Sequence, residues 1–298
     1  MTKKNILLTG GGGQLGSTFS AFFKNSILNE KYELNSVDLE HMDFADDESI
    51  LSALEFYTPS IILNCGAYTS VDNAEKECDL AFKINDLAVS VIAKWAKKND
   101  SRLVHISTDF VFDGRREIPY KPGDHPNPLG IYGQTKLGGE RHILRLLPEN
   151  GIILRTSWLY SEFGQNFVKT MLALMSEKKE LGVVGDQLGS PTSTHSLVKI
   201  LFKIIENENS SGIFHWCDGA AISWYDFALE IQRQGFMEGI LNRKIPIKRI
   251  TTSSYPTLAE RPSYSVLDCK TTLGEFKINN VDWKKELSEV VAVISKSS

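Results

Sequence analysis

The chain has little of what would staple a small secreted scaffold or draw it to a polyanion. Its four cysteines among 298 residues, Cys65, Cys78, Cys217 and Cys269, stand far apart, with no CxxC pair and no Cys/His cluster at metal-ligand spacing. They read as reduced thiols of a reducing compartment, and no metal site is encoded. The six histidines offer no metal spacing and no Ser-His-Asp order; they read as structural, with His105 inside a buried strand. Positive charge is not in excess: 33 Lys and Arg stand against 37 Asp and Glu, a net charge of −4, which excludes a global basic field for nucleic acid or anionic membrane. No segment approaches the roughly 18 consecutive apolar residues of a membrane span. Only Ile6-Leu7-Leu8 lie between the two N-terminal lysines with Asn5 and the following Thr9-Gly10, too short a run for a signal-peptide core, so a cytoplasmic location is expected. With 10 prolines, no low-complexity tract and no internal repeat, collagenous, disordered and solenoid architectures fall away as well.

What is present is alternation. Short apolar runs at 5–9, 34–37, 61–65, 103–107 and 152–155 have the character of parallel strands. Between them, residues 14–23, 48–57, 80–97 and 132–147 carry apolar side chains near i, i+3, i+4 and i+7, so each can lay one face on a sheet. The expectation is an α/β fold, a Rossmann-like doubly wound parallel sheet over residues 1–158, completed by about 193–218. Residues 159–192 and 219–298, with helices expected at 166–176 and 224–234, form a smaller mixed α/β region that covers a substrate. Charge divides unevenly along the chain: residues 241–298 hold ten Lys/Arg against six Asp/Glu. For most of these side chains a solvated basic surface is the plain explanation.

The first chemical signal is Thr9-Gly10-Gly11-Gly12-Gly13-Gln14-Leu15-Gly16, at the end of the first strand and the start of the first helix. It satisfies GxxGxxG at Gly10, Gly13 and Gly16 and also GxGxxG at Gly11, Gly13 and Gly16. Without β-carbons the chain can turn sharply and let a pyrophosphate approach the free N–H groups of a helix start. A flexible loop would explain the glycines alone. The context favours a dinucleotide, because Asp38 ends the second strand 22 residues beyond Gly16, where a carboxylate can take both ribose hydroxyls. An acid there repels a 2′-phosphate and so tilts the cofactor toward NADH over NADPH. Asp43, followed by Phe44, could accept from an adenine amino group, or simply belong to the acidic start of the next helix.

The second signal is Tyr132-Gly133-Gln134-Thr135-Lys136, which opens a helix after Pro126-Asn127-Pro128. A phenol and an ammonium four residues apart share a helical face, and the cation favours phenolate. YxxxK is common by chance. Here it follows a glycine turn, further strands and Ser107-Thr108-Asp109 at a strand end, which makes it specific.

With these residues the chain resembles the extended short-chain dehydrogenase/reductase superfamily, and within it the dTDP-4-dehydrorhamnose reductases. The resemblance runs through Asn64 to Glu75, Ser107-Thr108-Asp109-Phe110-Val111-Phe112, Arg155-Thr156-Ser157-Trp158-Leu159-Tyr160, Asp186-Gln187-Leu188-Gly189-Ser190-Pro191-Thr192 and Arg261-Pro262. It implies reduction of the C4 keto group of a nucleotide sugar by NADH or NADPH. Tyr132 would then be the proton donor, Lys136 would hold the nicotinamide ribose and lower the tyrosine pKa, and Thr108 would hydrogen-bond the substrate oxygen. Gly10, Gly13, Gln14, Leu15, Gly16, Asp38, Asp43, Phe44, Gly66, Ala67 and Tyr68 would line the cofactor. Asp109 would touch the sugar and Trp158 would stack on it. Asn85 would help hold the active-site backbone and a proton-relay water, or be simply a helix-surface amide.

The substrate's nucleotide has its own candidates. Arg261 can grip a diphosphate bidentately, though a salt bridge is its plainer role. Asn166 and Phe167 could reach the base, or be a helix-start amide and a core ring. The sequence departs from the family pattern at Cys65-Gly66, where alanines are usual, and at Tyr68, where histidine is common. The partner is thus a small nucleotide sugar, with no nucleic acid and no membrane. A homodimer is possible, some family members pairing through metal-bridged acids, but no acidic cluster here can be assigned to that role. Two other readings stay open: another nucleotide-sugar reductase or epimerase of the superfamily, or a non-catalytic subunit like the regulatory subunit of methionine adenosyltransferase. The retained Thr108, Tyr132 and Lys136 favour catalysis.

Overall fold

The computed structural model describes residues 3–297. Six parallel strands make the central sheet: β1 (Lys4–Thr9), β2 (Tyr32–Val37), β3 (Ile61–Asn64), β4 (Arg102–Thr108), β5 (Gly151–Thr156) and β6 (Gly212–His215). Their spatial order is β6-β5-β4-β3-β1-β2. The first five coincide with the expected runs to within two residues at either end. The sixth was not foreseen as a strand.

Period-two alternation explains the double winding. Ile6, Leu8, Ile61, Leu63, Val104, Ile152 and Leu154 point to one face and pack on α1 (Gln14–Phe23) and on the helix Thr194–Glu206. Leu7, Ile62, Leu103 and Ile153 point to the other, under α2 (Asp47–Tyr57), α3 (Ala88–Lys98) and α4 (Ile131–Leu146). Strands buried on both faces favour continuous apolar runs, which Ile6-Leu7-Leu8, Ile61-Ile62-Leu63 and Ile152-Ile153-Leu154 are, whereas the edge strand β2 is mixed.

The helix expected over 80–97 is three pieces: Cys78–Phe82, a π-helical turn Lys83–Leu87, and α3. Asn85 sits in that wide turn, buried. Its amide oxygen accepts the Tyr68 N–H at 2.9 Å and its nitrogen donates to the Tyr68 carbonyl at 3.0 Å, so it replaces a missing strand neighbour for the loop after β3.

A second apolar cluster gathers Tyr160, Val168, Met171, Phe227, Ile231, Trp283 and Leu287 from helices Phe167–Glu177, Trp224–Met237 and Trp283–Ser297. Short pairings, such as Leu181–Val184 with Ile247–Ile250, edge this part. No helix of the described residues is long and apolar enough to cross a membrane.

Candidate active site

The sheet order reverses at β1, and a crevice opens beyond the carboxyl ends of the strands beside such a switch point. There lies a cleft of about 650 Å³, lined by the turn after β1, the ends of β3, β4 and β5, and the start of α4. Gly10, Gly13, Gln14, Leu15 and Gly16 reach it, as do Asp38, Asp43, Phe44, Gly66 and Ala67. So do Thr108, Asp109, Tyr132, Lys136 and Trp158.

The glycine turn is built for close approach. Gly10 has φ +66°, and a β-carbon there would lie 2.8 Å from the Gly66 nitrogen; one on Gly16 would lie 2.2 Å from the Gly10 carbonyl oxygen. Gly13 caps α1 without a side chain to take its first N–H groups, and no acid lies in its first turn. That leaves the positive end of the helix to an anion. Asp38 is fixed at the rim by the Gly12 N–H, which donates to its carboxylate at 2.6 Å. Asp43 accepts the Ala45 N–H at 2.7 Å, while its neighbour Asp46 caps α2. The buried Phe44 ring faces Gly66, where any β-carbon would press on it at 3.1 Å.

At the far end of the cleft stand the acid–base groups. Phe110 packs edge-on to the Tyr132 ring, with centroids 5.6 Å apart. Burial pushes the phenol up to about 12, against the opposing pull of its hydrogen bond to Thr108. The expected lowering by lysine is not what the geometry delivers. Lys136 instead donates to the Ile106 carbonyl at 2.7 Å and lies 3.3 Å from His105 Nε2. Burial brings that ammonium down to about 8, opposed by Glu140 and Cys65. Thr108 Oγ1 donates to Asp109 at 3.1 Å, and burial lifts the Asp109 carboxyl to about 6. The second Asp109 oxygen is buried with no partner among the described residues. Behind them Glu140 takes two hydrogen bonds from Arg155, at 2.8 and 2.6 Å, and one from Ser107 at 2.5 Å, locking α4 to β4 and β5.

The remaining candidates lie elsewhere. Tyr68 turns its hydroxyl to Glu77 at 2.5 Å and does not line the cleft; its backbone is what Asn85 holds. Asn166 caps the helix Phe167–Glu177 and donates to the Gln14 side chain at 3.0 Å, bracing a cleft residue from outside. Phe167 and Arg261 line a second cavity of about 390 Å³. There the Arg261 guanidinium forms a two-bond ion pair with Asp72, at 2.8 and 3.2 Å.

Trp158 joins the two spaces. It holds φ +46° and its indole stacks on Trp224 at 3.5 Å and 11°, so that one ring of the pair lines the cleft and the other the second cavity. Glycine at 189 admits the ring, since a β-carbon there would meet the indole at 2.5 Å. Phe110, named in a motif, Trp224, at the start of an expected helix, and the Gly164-Gln165 corner are not among the site residues expected from the sequence. Gly164 holds φ +61°, and a β-carbon there would lie 3.0 Å from the Gln14 side chain.

The family model described as RmlD substrate binding domain matches residues 4–296. A dTDP-4-dehydrorhamnose reductase from Aggregatibacter actinomycetemcomitans is 40% identical over 292 residues, 96% of this chain and 98% of that protein. The crystal structure of a dTDP-4-dehydrorhamnose reductase from Clostridium acetobutylicum superposes with a TM-score of 0.89 at 37% identity, covering 97% of this chain and 99% of that one. Another, from Bacillus anthracis and in complex with NADP, gives 0.88 at 33%, with the same coverage. A match of this length, over a cleft that gathers the glycine turn with Thr108, Tyr132 and Lys136, places the chain in the dTDP-4-dehydrorhamnose reductase family.

Proposed function

We propose that the chain reduces the C4 keto group of dTDP-4-dehydro-L-rhamnose to give dTDP-L-rhamnose, using NADH or NADPH. The observation that carries this is the pairing of Thr108 with Tyr132 and Lys136 at one end of a cleft whose other end is the glycine turn. The residues present fit a nicotinamide dinucleotide: the turn admits a pyrophosphate where side chains could not stand, and Asp38 waits at the ribose position. When bound, that cofactor supplies the hydride.

The protein's share is positioning and proton management. Negative charge grows on the C4 oxygen as the carbonyl is reduced, and Tyr132, neutral at physiological pH with its pKa near 12, donates the proton. Thr108 holds the same oxygen, and the Lys136 ammonium supplies positive potential in a buried site where charge is weakly screened. Trp158, which lines the cleft, meets the sugar. The second cavity, with Phe167 and Trp224 for a base and Arg261 for a diphosphate, suits the nucleotide. In this reading residues 1–158 with 193–218 carry the cofactor, while 159–192 and 219–298 close over the sugar nucleotide. Asp38 favours NADH, and the setting is the cytoplasm.

Tyr132→Phe tests the assignment. Turnover is expected to fall by about 10²–10⁴-fold with cofactor affinity kept, as befits loss of a general acid. Unchanged turnover would remove the phenol from the reaction.

A further inference from the structure

His105 lies on β4, fully buried, with both ring nitrogens engaged. Nε2 is 3.3 Å from Lys136 Nζ, and Nδ1 is 2.9 Å from the Asn64 amide nitrogen. The other end of that amide, Oδ1, is 2.7 Å from the Thr9 hydroxyl, whose oxygen accepts the Gly66 N–H at 3.2 Å. Asn64 ends β3 and Thr9 ends β1. An unbroken polar line therefore crosses three strands, from the lysine to the loop beside the glycine turn.

We propose that His105 is a positioning residue, which accepts a hydrogen bond from the Lys136 ammonium at Nε2 and carries its own hydrogen on Nδ1, toward Asn64. The proposal rests on the reductase reading for its purpose, and on proton counting for its content. Burial and the nearby lysine drive His105 well below the ordinary histidine range, so the ring is neutral and one nitrogen alone carries hydrogen. A hydrogen on Nε2 would point at the ammonium, donor against donor, and only an uncharged amine could receive it. With the hydrogen on Nδ1, the Nε2 lone pair meets the ammonium. As placed, the Asn64 amide nitrogen faces Nδ1 and its oxygen accepts from the Thr9 hydroxyl. With hydrogen on Nδ1 the amide makes a half-turn, its oxygen accepting from the ring and its NH2 donating to the Thr9 oxygen, so that the Thr9 bond reverses direction. Lysine charge, histidine tautomer and amide orientation are thus one variable.

The other groups facing Lys136 do not take over this role. Glu140, one turn along α4, is committed to Arg155 and Ser107. Cys65, after β3, is a thiol pushed up to about 12, and Tyr132, one turn back, is a neutral phenol hydrogen-bonded to Thr108. The Ile106 carbonyl accepts from amine and ammonium alike, so it does not select the charged form.

Nitrogen NMR of ¹⁵N-histidine-labelled, ligand-free protein reads the tautomer directly. The expected result at neutral pH is hydrogen on Nδ1 and a bare Nε2 for His105, with a change of tautomer as Lys136 loses its proton in alkali. Hydrogen on Nε2 at neutral pH, or an imidazolium, overturns the proposal. Two variants add a kinetic readout. His105→Gln places an amide near the Nε2 position and keeps an acceptor for Lys136, whereas His105→Asn keeps only the Asn64 side. The Gln variant should hold kcat within about threefold of wild type and the Asn variant lose about tenfold, with substrate KM unchanged in both. Loss of the acceptor lowers the lysine pKa further, so the alkaline limb of the rate should move to lower pH in the Asn variant alone. Equal losses with unmoved limbs would mean that the ring only packs. Because the spectrum needs no turnover, an inactive wild type with the expected tautomer would sink the reductase reading and leave this one standing.

Discussion

Asp109 shows at the scale of one residue how far chemistry and burial can be read separately. Its place after Thr108 is plain in the sequence. Its burial is a product of the fold, which also sets Ser265, more than 150 positions away, beside the carboxyl. Folding lifts its pKa from 3.8 to about 6, so the fold prefers the neutral acid. Below the unfolded value both states are protonated and nothing is lost; as pH rises through the interval the ionised form costs stability, and above about 6 the full penalty, about 3 kcal/mol, applies. Asp109→Asn should therefore match wild type in thermal unfolding at about pH 4 and exceed it at about pH 8. A stability difference that does not grow with pH would show that the site bears no such cost. The same limit governed Tyr132 and Lys136. Their offset of four was legible, but the lysine's turn toward His105, 31 positions away on another element, was not.

At the scale of elements, periodicity placed the strands and most helices because each buries one or two full faces, and failed where an element is short or interrupted. β6 has four residues and begins at a glycine with φ +98°, so it reads as a turn; what makes it a strand is pairing with β5. The π turn at Lys83–Leu87 was hidden because apolar spacing on either side still reads as helical. Its use is to bring Asn85 inward against the loop that carries Gly66 and Ala67. Asn85→Ala leaves the Tyr68 N–H and C=O without these partners, an expected loss of about 1–3 kcal/mol of stability. The local signature should be faster hydrogen exchange at the Tyr68 amide and a higher cofactor KM, with the sugar KM little changed. Unaltered exchange at Tyr68 would mean that the loop holds its shape without the amide.

At the scale of the molecule, charge is arranged rather than abundant. A chain with net charge −4 has no general attraction for anions, yet its proposed reaction brings together two molecules that each carry a diphosphate. In the proposed reading their sites are separate: backbone dipoles at α1 serve one, and Arg261, in the basic C-terminal stretch, lines the cavity assigned to the other. Asp72 orients that guanidinium, and Arg261 in turn helps hold the Asp72 carboxyl below its ordinary range. Arg261→Gln should raise the sugar-nucleotide KM by about 10–100-fold, the worth of a charge-assisted hydrogen bond, and leave cofactor affinity unaltered. A rise in both would indicate that the ion pair holds the two parts of the fold together instead. The glycine turn, Asp38 and Thr108 could be read in advance as cleft residues because each stands at a strand end, and Tyr132 and Lys136 because they lie four apart at a helix start. The stacked wall of Trp158 and Trp224 could not, since its rings come from segments 66 positions apart. The most direct measurement of the whole account is the stoichiometry of the purified protein with dTDP-4-dehydro-L-rhamnose and NADH, and with NADPH in parallel. The account predicts one dTDP-L-rhamnose formed per reduced cofactor oxidised, with NADH the better donor; a sugar epimerised or left unchanged while the cofactor stays reduced would contradict it.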